Sequence, residues 1–496
     1  MELPFERKTC GAWRESLYQT ERIRVDLEGV VPDVNEDVGR IACVQSNVLL
    51  KSKEITESGV LVGGELQSLF LCITENADAV QTVTLRREFE TEIESSGGKP
   101  EEAQVSLCVL RTEARVLNPR KLSAVIELGC TVTGWSRDEQ LLSLLPQEGD
   151  ESLLCGLAGN SEMQPVTVIT EKSFAVSESF SFPEKDAAVS RILWGDARVN
   201  LQEHSRIGSR LIVKGSAEIR LLCEGEGRCF PIVRHFSAPI SQILDAGNEN
   251  ICCCTLQCET TSLYFNLTDS IGGGQAVDAE IHAVLQLAGR SNETFNCLKD
   301  AYSNIMPLHQ TMETVTIPNC GEMMNSSAQI SELLAVAEDC AEILSILPAV
   351  SMDGAAPRAE FDILYRSKIG EIAAVHRQVQ LKTEALPDRA RILDVNLTRC
   401  DLRPEGEGVQ CELQASILWQ TVRETEEAAV SSVTLEEEHP FDPAAFPAVT
   451  LVRGEGESFW ELAKTYHSSV SAMEAMNGTE DQKGKMLLIP RSMTQN

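Results

Sequence analysis

Apolar and polar residues alternate with a period of two along most of the chain. In Val60–Leu71 apolar residues alternate with polar or small ones, and Leu211–Leu221 has the same pattern. Such alternation places one set of side chains in a core and the other in solvent, as in antiparallel sheets. Pairs such as Ser58-Gly59 and Gly208-Ser209 mark turns between the alternating runs. The pattern predicts a mainly β protein.

This strand pattern recurs along the chain. Asp37–Cys72 and Ala188–Cys223 have equal length and share an early Arg-Ile pair, a glycine before the last strand and a final cysteine. Ile330–Tyr365 follows the same plan with a slip of about one residue. Each copy follows an alternating stretch that ends in proline, at Pro32, Pro183 and Pro318. These prolines are more than a hundred residues apart, so the repeating unit is a whole domain.

We therefore predict three tandem β-rich, sandwich-like repeats, at 16–146, 165–289 and 305–440. The segments Gln147–Asn160 and Gly289–Thr294 are the predicted linkers between them.

Two further segments leave alternatives open. Leu333–Leu347 fits an amphipathic helix, but the alignment of the copies favours a short helical or turn segment followed by a strand. Glu424–Ala448 is acidic and contains no Lys or Arg. Its first part can complete the third repeat, and its proline-rich end predicts a hinge.

The pattern changes after Val449, where helical spacing replaces strict alternation. A short strand precedes a helix with one apolar face, and Ser458 with Glu461 predicts a capping box at its start. A second helix begins at Ser469 or Ser471 and ends at Asn477-Gly478. Leu487–Ile489 then returns as a strand. The segment 449–491 is predicted to be a small α+β module with the order βααβ, whose first helix buries Phe459, Leu462, Ala463 and Tyr466.

This C-terminal segment resembles a LysM domain. Three positions depart from the family pattern: Glu457 and Ser458 stand where the family has Asp and Thr, and Arg453 stands where it has Val. The residues that match the pattern are Gly456, Phe459, Trp460, Leu462, Ala463, Asn477, Gly484, Leu487, Ile489 and Pro490.

The resemblance implies a binding surface. In LysM domains that bind peptidoglycan or chitin, the turn after the first strand and the loop before the last one line the N-acetylglucosamine groove. Trp460 is more typical of packing than of a sugar platform. The implied ligand- or partner-binding residues are Gly456, Glu457, Ser458, Phe459, Trp460, Asn477, Gly478, Thr479, Glu480, Asp481 and Lys483.

The repeats resemble the SPOCS domain of spore-forming Clostridia, in Val30–Asp33, in the Arg-Ile starts and in Asp362–Ile372 of the third copy. Tandem SPOCS domains followed by one LysM domain are similar to spore-coat assembly proteins. Those proteins act in the mother-cell cytosol and join the ATPase that polymerises on the forespore surface to the layers above it. The resemblance implies a scaffold whose partners are this coat-base ATPase and other coat proteins. The alternative is binding of peptidoglycan or another N-acetylglucosamine polymer of the cell wall or spore cortex.

Charge narrows the classes of partner. The 496 residues include 43 basic and 75 acidic side chains, a formal charge of −32, which argues against nucleic acid and against anionic lipid as partners. From Val449 onward five basic and six acidic residues nearly balance, so the acidity lies on the repeats and the linker. The sequence predicts neither a membrane span nor a signal peptide. We therefore expect a cytoplasmic protein whose 17 cysteines are reduced. The resemblance to spore-coat assembly proteins implies that it lies in the mother cell, at the forespore surface or in the coat.

No catalytic motif is recognisable, so we predict no enzyme, no catalytic residue, no cofactor and no metal site. The cluster Cys252-Cys253-Cys254 with Cys258 is the one candidate for soft-metal chemistry, because alternation would place Cys252, Cys254 and Cys258 on one side of a strand. We favour core packing there, since buried cysteine behaves as a small hydrophobe. His467 is predicted to be a surface residue near a helix end.

Overall fold

The computed structural model describes residues 1–147, 154–182, 188–225, 231–247, 250–269, 274–353, 356–383, 386–387, 389–405, 408–478 and 484–492. Strands make up most of this part of the chain, and the prediction of a mainly β protein is confirmed.

Three units of similar strand order follow one another, and a small module ends the chain. The first unit contains β1 (Glu2–Leu3), β2 (Phe5–Val30), β3 (Val38–Ile55), β4 (Gly59–Thr74), β5 (Val80–Glu94), β6 (Glu102–Asn118) and β7 (Lys121–Pro146). After β8 (Cys155–Met163), the second unit contains β9 (Val166–Ser181), β10 (Val189–Ile207), β11 (Arg210–Gly225), β12 (Pro231–Asp245), β13 (Ile251–Asp269) and β14 (Gln275–Ser291).

After β15 (Glu293–Tyr302), the third unit contains β16 (Leu308–Cys320), β17 (Met324–Ala335), β18 (Cys340–Asp353), β19 (Ala356–Ser367), β20 (Ile372–Gln380), β21 (Lys382–Thr383), β22 (Ala390–Glu405) and β23 (Gly408–Leu435). A 3-10 turn at Pro443–Ala445 leads to the C-terminal module, which contains β24 (Val449–Arg453), α1 (Phe459–Thr465), α2 (Val470–Asn477) and β25 (Met486–Pro490).

Each unit has two antiparallel layers around one core. One layer is a three-stranded sheet, β3-β4-β5, β10-β11-β12 or β18-β19-β20. The other consists of long strands, with β7, β14 or β23 in the middle. In the first unit Phe70 and Ile126, one from each layer, are fully buried in the same cluster. The alternation of the sequence thus supplies the inward faces of both layers.

Irregularities of the first hairpin recur from unit to unit. Register shifts occur between Val38 and Arg40, between Val189 and Arg191, and between Cys340 and Glu342. The starts of the first two copies, Asp37 and Ala188, therefore correspond to Asp339, and the predicted start of the third copy at Ile330 is wrong. The start was misplaced because the third hairpin, Cys340–Ser367, is shorter than the other two.

The repeated glycine lies inside β4 or β11, and the prediction that it precedes the last strand is wrong. A Cβ atom on Gly215 would lie 2.1 Å from the carbonyl oxygen of Asn200, on the paired strand. A Cβ on Gly64 would lie 2.4 Å from the ring of Phe89. The backbone contact at Gly215 excludes other residues, whereas a larger residue at Gly64 would require the Phe89 ring to move.

The three units pack against one another through their three-stranded sheets. Leu71, Trp194 and Leu364, one from each unit, belong to one buried cluster. Arg220 of the second unit lies beside this cluster, pairs with Asp196 and donates to the Gln45 side chain at 2.9 Å and to the carbonyl of Pro348. A single guanidinium therefore bonds to all three units.

Side-chain amides join the long strands in a similar way. The Gln286 amide exchanges two hydrogen bonds with the backbone of Val105, at 2.8 and 2.9 Å, and so joins the second unit to the first. Gln420 of the third unit donates to the carbonyl of Cys254 at 3.1 Å. The N-terminal strand β1 pairs with β23 of the third unit at Thr434 and Val433. The three units thus contact each other in every combination.

Several predicted linkers are strands. Cys155–Met163 and Glu293–Tyr302 pair with each other antiparallel. The predicted linkers 147–160 and 289–294 overlap these strands, so both linker predictions are wrong for the described residues after 154. The part of Glu424–Ala448 up to Leu435 belongs to β23. Leu333–Leu347 contains the end of β17, a turn and the start of β18, so the helix alternative is wrong.

Candidate binding site in the C-terminal module

The C-terminal module begins its first helix with the predicted cap. The Ser458 side chain accepts a hydrogen bond from the backbone N–H of Glu461, and the Glu461 carboxylate accepts one from the backbone N–H of Ser458 at 2.9 Å. This reciprocal pair is a capping box. Ser469, rather than Ser471, caps the second helix. Phe459, Leu462 and Ala463 are buried as predicted.

Asn477 and Gly478 serve the backbone of the module. The Asn477 side chain donates to the carbonyl of Leu488 and accepts from the N–H of the same residue, both at 2.7 Å. It therefore acts as a short extra strand against the open edge of β25. Gly478 ends α2 with φ of +83°, a conformation that favours glycine. Both residues therefore stabilise the backbone of the module, whereas the resemblance implied that they bind a ligand or partner.

Trp460 contacts two residues of the neighbouring strand β15. Its Nε1–H donates to the Asp300 carboxylate at 2.8 Å, and its ring meets that of Tyr302 edge to face with centroids 4.8 Å apart. Lys464, one turn further along α1, pairs with the same carboxylate at 2.7 Å. The face of α1 that carries Trp460 is thus occupied by another part of the chain.

Asp300 is ionised in this contact. Burial disfavours the carboxylate, but hydrogen bonds from Lys464 and Trp460 outweigh it and hold the pKa of Asp300 below its usual value. Two further bonds fix the other end of the contact, because the Tyr302 hydroxyl and the Asn304 amide both donate to the carbonyl of Ser468, at 2.9 and 2.8 Å. The module is therefore attached to β15 along one side.

His467 is not the surface residue that we predicted. Its ring lies between those of Phe441 and Phe446, with centroid distances of 4.6 and 4.4 Å. Burial lowers the pKa of His467 and so favours the neutral ring. This cluster ties the proline-rich segment, which was predicted to be a hinge, to the end of α1.

The rest of the predicted surface divides into two groups. Glu457 and Ser458 are exposed at the start of α1, and Gly456 lies before them with φ of +115°. Thr479, Glu480, Asp481 and Lys483 lie outside the described residues. Of the described candidates, Phe459 is in the module core, and Trp460 faces Asp300 and Tyr302. The candidates within the described residues therefore do not form one open groove.

A different surface of the module is open and apolar. We call it the outer face, and it comprises the exposed residues of β24 and β25: Val449, Leu451, Arg453, Met486 and Leu488. Leu451 and Leu488 are directly paired across the two strands and are 58% and 42% exposed. Met486, opposite Arg453, is 55% exposed. Cross-strand partners share a side of the sheet, so these residues form one continuous patch.

Sequence reasoning missed both the outer face and the contact with β15. The alternation in 449–453 and 486–490 could have indicated the outer face, because two short strands have one side to bury and one to expose. No signal near Asp300 or Tyr302 indicates a partner about 160 positions away.

The cysteine cluster of the second unit is divided by a bulge. Cys254 is buried in the core of the second unit, and Cys258 packs against it, as expected for core residues. A register shift between Ile251 and Cys253 interrupts the alternation, and Cys252 is exposed. Within the described residues, no three His, Cys, Asp or Glu side chains are placed to hold a metal ion.

The units enclose a small cavity. A cavity of about 60 Å³ lies between the units, with Thr133, Thr255 and Arg391 among its lining residues. It has room for about two water molecules.

Neither helix in the described part of the chain has the length and apolar content to cross a bilayer.

No protein-family model matches this chain, and no curated protein or solved structure matches it either.

Proposed function

We propose that this protein is a non-enzymatic assembly scaffold of the spore envelope, acting in the mother-cell cytosol and similar to coat proteins of the SipL type. Its three units are SPOCS-like repeats that contact other coat proteins, and its C-terminal LysM-like module docks on the coat-base ATPase. The observation that carries the proposal is the exposed outer face of the module, formed around Leu451 and Leu488.

The outer face has the character of a protein-docking surface. Leucine and methionine on adjacent strands offer apolar area without a polar groove, and a contiguous patch of this kind is typical of interaction sites. Arg453 and Lys485 are exposed at one end of it. The module carries a formal charge of −1 against −31 for the rest of the chain, so it is the part least repelled by an acidic partner surface.

The contact of Trp460 with β15 supports docking on protein rather than on glycan. A sugar-binding aromatic residue needs a free ring face and free polar neighbours. Trp460 packs on Tyr302, its indole N–H is bonded to Asp300, and the Asn477 amide is bonded to the backbone of β25.

The test is co-purification of the full chain with the coat-base ATPase. Leu451→Asp combined with Leu488→Asp should reduce the retained ATPase at least tenfold, because charges replace the apolar centre of the patch. Val34→Asp is the matched control, since Val34 is 93% exposed in the first unit and should retain wild-type binding. Unchanged binding by the double variant would refute the outer face as the docking surface, and retention by a chain without 449–496 would refute the module's role.

The alternative, binding of N-acetylglucosamine polymers, has its own test. Titrating the full chain with N-acetylglucosamine oligomers should leave the Trp460 fluorescence unchanged, with Trp460→Phe identifying that residue's share of the emission. A saturable change that disappears in Trp460→Phe would favour the glycan-binding alternative over the scaffold.

A further inference from the structure

Three thiols meet where the second and third units come together, away from the C-terminal module. Cys252 and Cys253 are consecutive residues of β13, and Cys320 is the last residue of β16. Consecutive residues of a regular strand point to opposite sides. Here the register shift between Ile251 and Cys253 removes the alternation, and the two Sγ atoms are 3.9 Å apart.

Gln164 brings the third thiol to the same place. Its side-chain oxygen accepts the backbone N–H of Cys320 at 2.9 Å and lies 4.0 Å from the Sγ of Cys253. Gln164 thus touches the thiol of Cys253 and the backbone of Cys320 at once. Cys253 therefore lies between an exposed thiol, Cys252, and a buried one, Cys320.

We propose that Cys252, Cys253 and Cys320 form a thiol–disulfide exchange site that takes low-molecular-weight disulfides as its oxidant. Cys252 is the entry thiol because it alone of the three is exposed. Cys253 is the resolving thiol because its Sγ is 3.9 Å from that of Cys252 and it shares the contact with Gln164 with Cys320.

Electrostatics favours the thiolates of the two outer cysteines, whereas hydrogen bonding to Cys252 and Cys320, together with burial, raises the pKa of Cys253. A hydrogen bond from Cys253, together with the positive charge of Arg290, lowers the pKa of Cys252 to about 7. The same two groups lower the pKa of Cys320 to about 7. Arg290 is held in place by a bond from its guanidinium to the carbonyl of Gln164 at 2.9 Å. Thiolate is the reactive form of cysteine. Cys253 has one S–H to donate, so it activates one end of the cluster at a time near neutral pH.

The exchange proceeds in three balanced steps. The Cys252 thiolate attacks one sulfur of the small disulfide, forms a mixed disulfide and releases the other half as a thiolate. Cys253 attacks the Cys252 sulfur and its proton passes to the departing second half, which leaves as a thiol. Adjacent Cα atoms are about 3.8 Å apart, less than disulfides prefer, so this bond is strained. The Cys320 thiolate then attacks Cys253, giving a Cys253–Cys320 disulfide and a free Cys252 thiolate.

The net reaction reduces one small disulfide to two thiols and oxidises two cysteines. Its product covalently joins the second unit to the third. The proposal does not depend on the docking function of the C-terminal module.

Alkylation of the intact wild-type chain tests the entry thiol. With limiting iodoacetamide at pH 7, Cys252 should react at least about sixfold faster than Cys108, allowing for its larger thiolate fraction and its lower intrinsic nucleophilicity. Cys108 is the matched reference because it is also exposed, whereas desolvation raises its pKa. Equal rates at the two sites, measured by mass spectrometry of the peptides, would overturn the proposal.

Oxidised glutathione tests the resolving step. The wild-type chain should yield a Cys253–Cys320 cross-linked peptide and retain little glutathione, and Cys108→Ser should behave identically. Cys253→Ser should retain about one glutathione on Cys252, because nothing displaces it. A Cys253→Ser chain that unfolds with the wild-type midpoint and carries no glutathione on Cys252 would contradict the proposed order, as would a wild-type chain without the cross-link.

Discussion

The contacts that join the three units to one another differ in kind from the contact that joins them to the C-terminal module. Between the units, Arg220 is 19% exposed and bonds to three partners, and Gln286 is almost completely buried. At the module, Asp300 and Lys464 are 23% and 42% exposed. Buried multidentate bonds are costly to break, and partly exposed ion pairs contribute little. The Asp300–Lys464 pair is therefore the weaker part of the module contact, whose buried part is the pair of bonds from Tyr302 and Asn304 to Ser468.

Removing the Arg220 side chain should have the largest effect. Arg220→Met leaves the Asp196 carboxylate and the Gln45 amide without their shared partner, so the free energy of unfolding should fall by about 3 kcal/mol. Urea unfolding followed by circular dichroism measures it. Arg24→Met is the control, because Arg24 and Asp26 form an exposed pair whose loss should cost less than about 0.5 kcal/mol. Equal losses in the two variants would remove the distinction between buried and exposed contacts.

Breaking the module contact should have a smaller and more local effect. Asp300→Ala removes the partner of both Trp460 and Lys464, and the free energy of docking should fall by about 1 kcal/mol or less. Trp460 emission should shift to longer wavelength, and proteolysis between Glu436 and Ala448 should quicken, while the unfolding midpoint of the units stays unchanged. Asp138→Ala, which removes an exposed pair with Arg14, should change neither signal.

The same contact should respond to acid. The pKa of Asp300 is lower in the docked state than its ordinary value of 3.8, so the contact is at full strength above that value. It weakens as the pH falls below 3.8 through the lower folded pKa. A red shift of Trp460 that begins near neutral pH instead would exclude Asp300 as its cause.

The ring cluster of the linker should give the smallest effect. The pKa of His467 is below its ordinary value of 6.5, so its stabilising contribution is present above pH 6.5 and declines as the pH falls below it. Between pH 7.5 and 5.5 the loss should be a few tenths of a kcal/mol, because the ring is only half-buried. His467→Phe keeps the packing on Phe441 and Phe446 and should lose less stability than the wild type over this interval. Identical pH profiles would show that protonation of His467 contributes nothing.

The sequence pattern predicted correctly the features that depend on neighbouring residues. The strand alternation, the cap at Ser458 and the end of α2 at Asn477 all depend on residues a few positions apart, and each was predicted from the sequence. The start of the third copy was misplaced because a hairpin can shorten while its register shifts persist. The roles of Trp460 and Cys252 could not be predicted. The role of Trp460 depends on Asp300, which is distant in the chain, and the role of Cys252 depends on a bulge in β13 that the alternation of the sequence does not reveal.

The pairing of β1 with β23 has a consequence for the order of folding during synthesis. Glu2 of β1 pairs with Thr434 of β23, so β1 is synthesised long before the strand that it pairs with. Until β23 is made, the edge that β1 completes does not exist. Closing so long a loop costs little more entropy than closing a short one, but contacts between distant segments form slowly. We expect β1 to stay unpaired in the nascent chain until translation has passed Leu435, and so to remain available to a chaperone during that time.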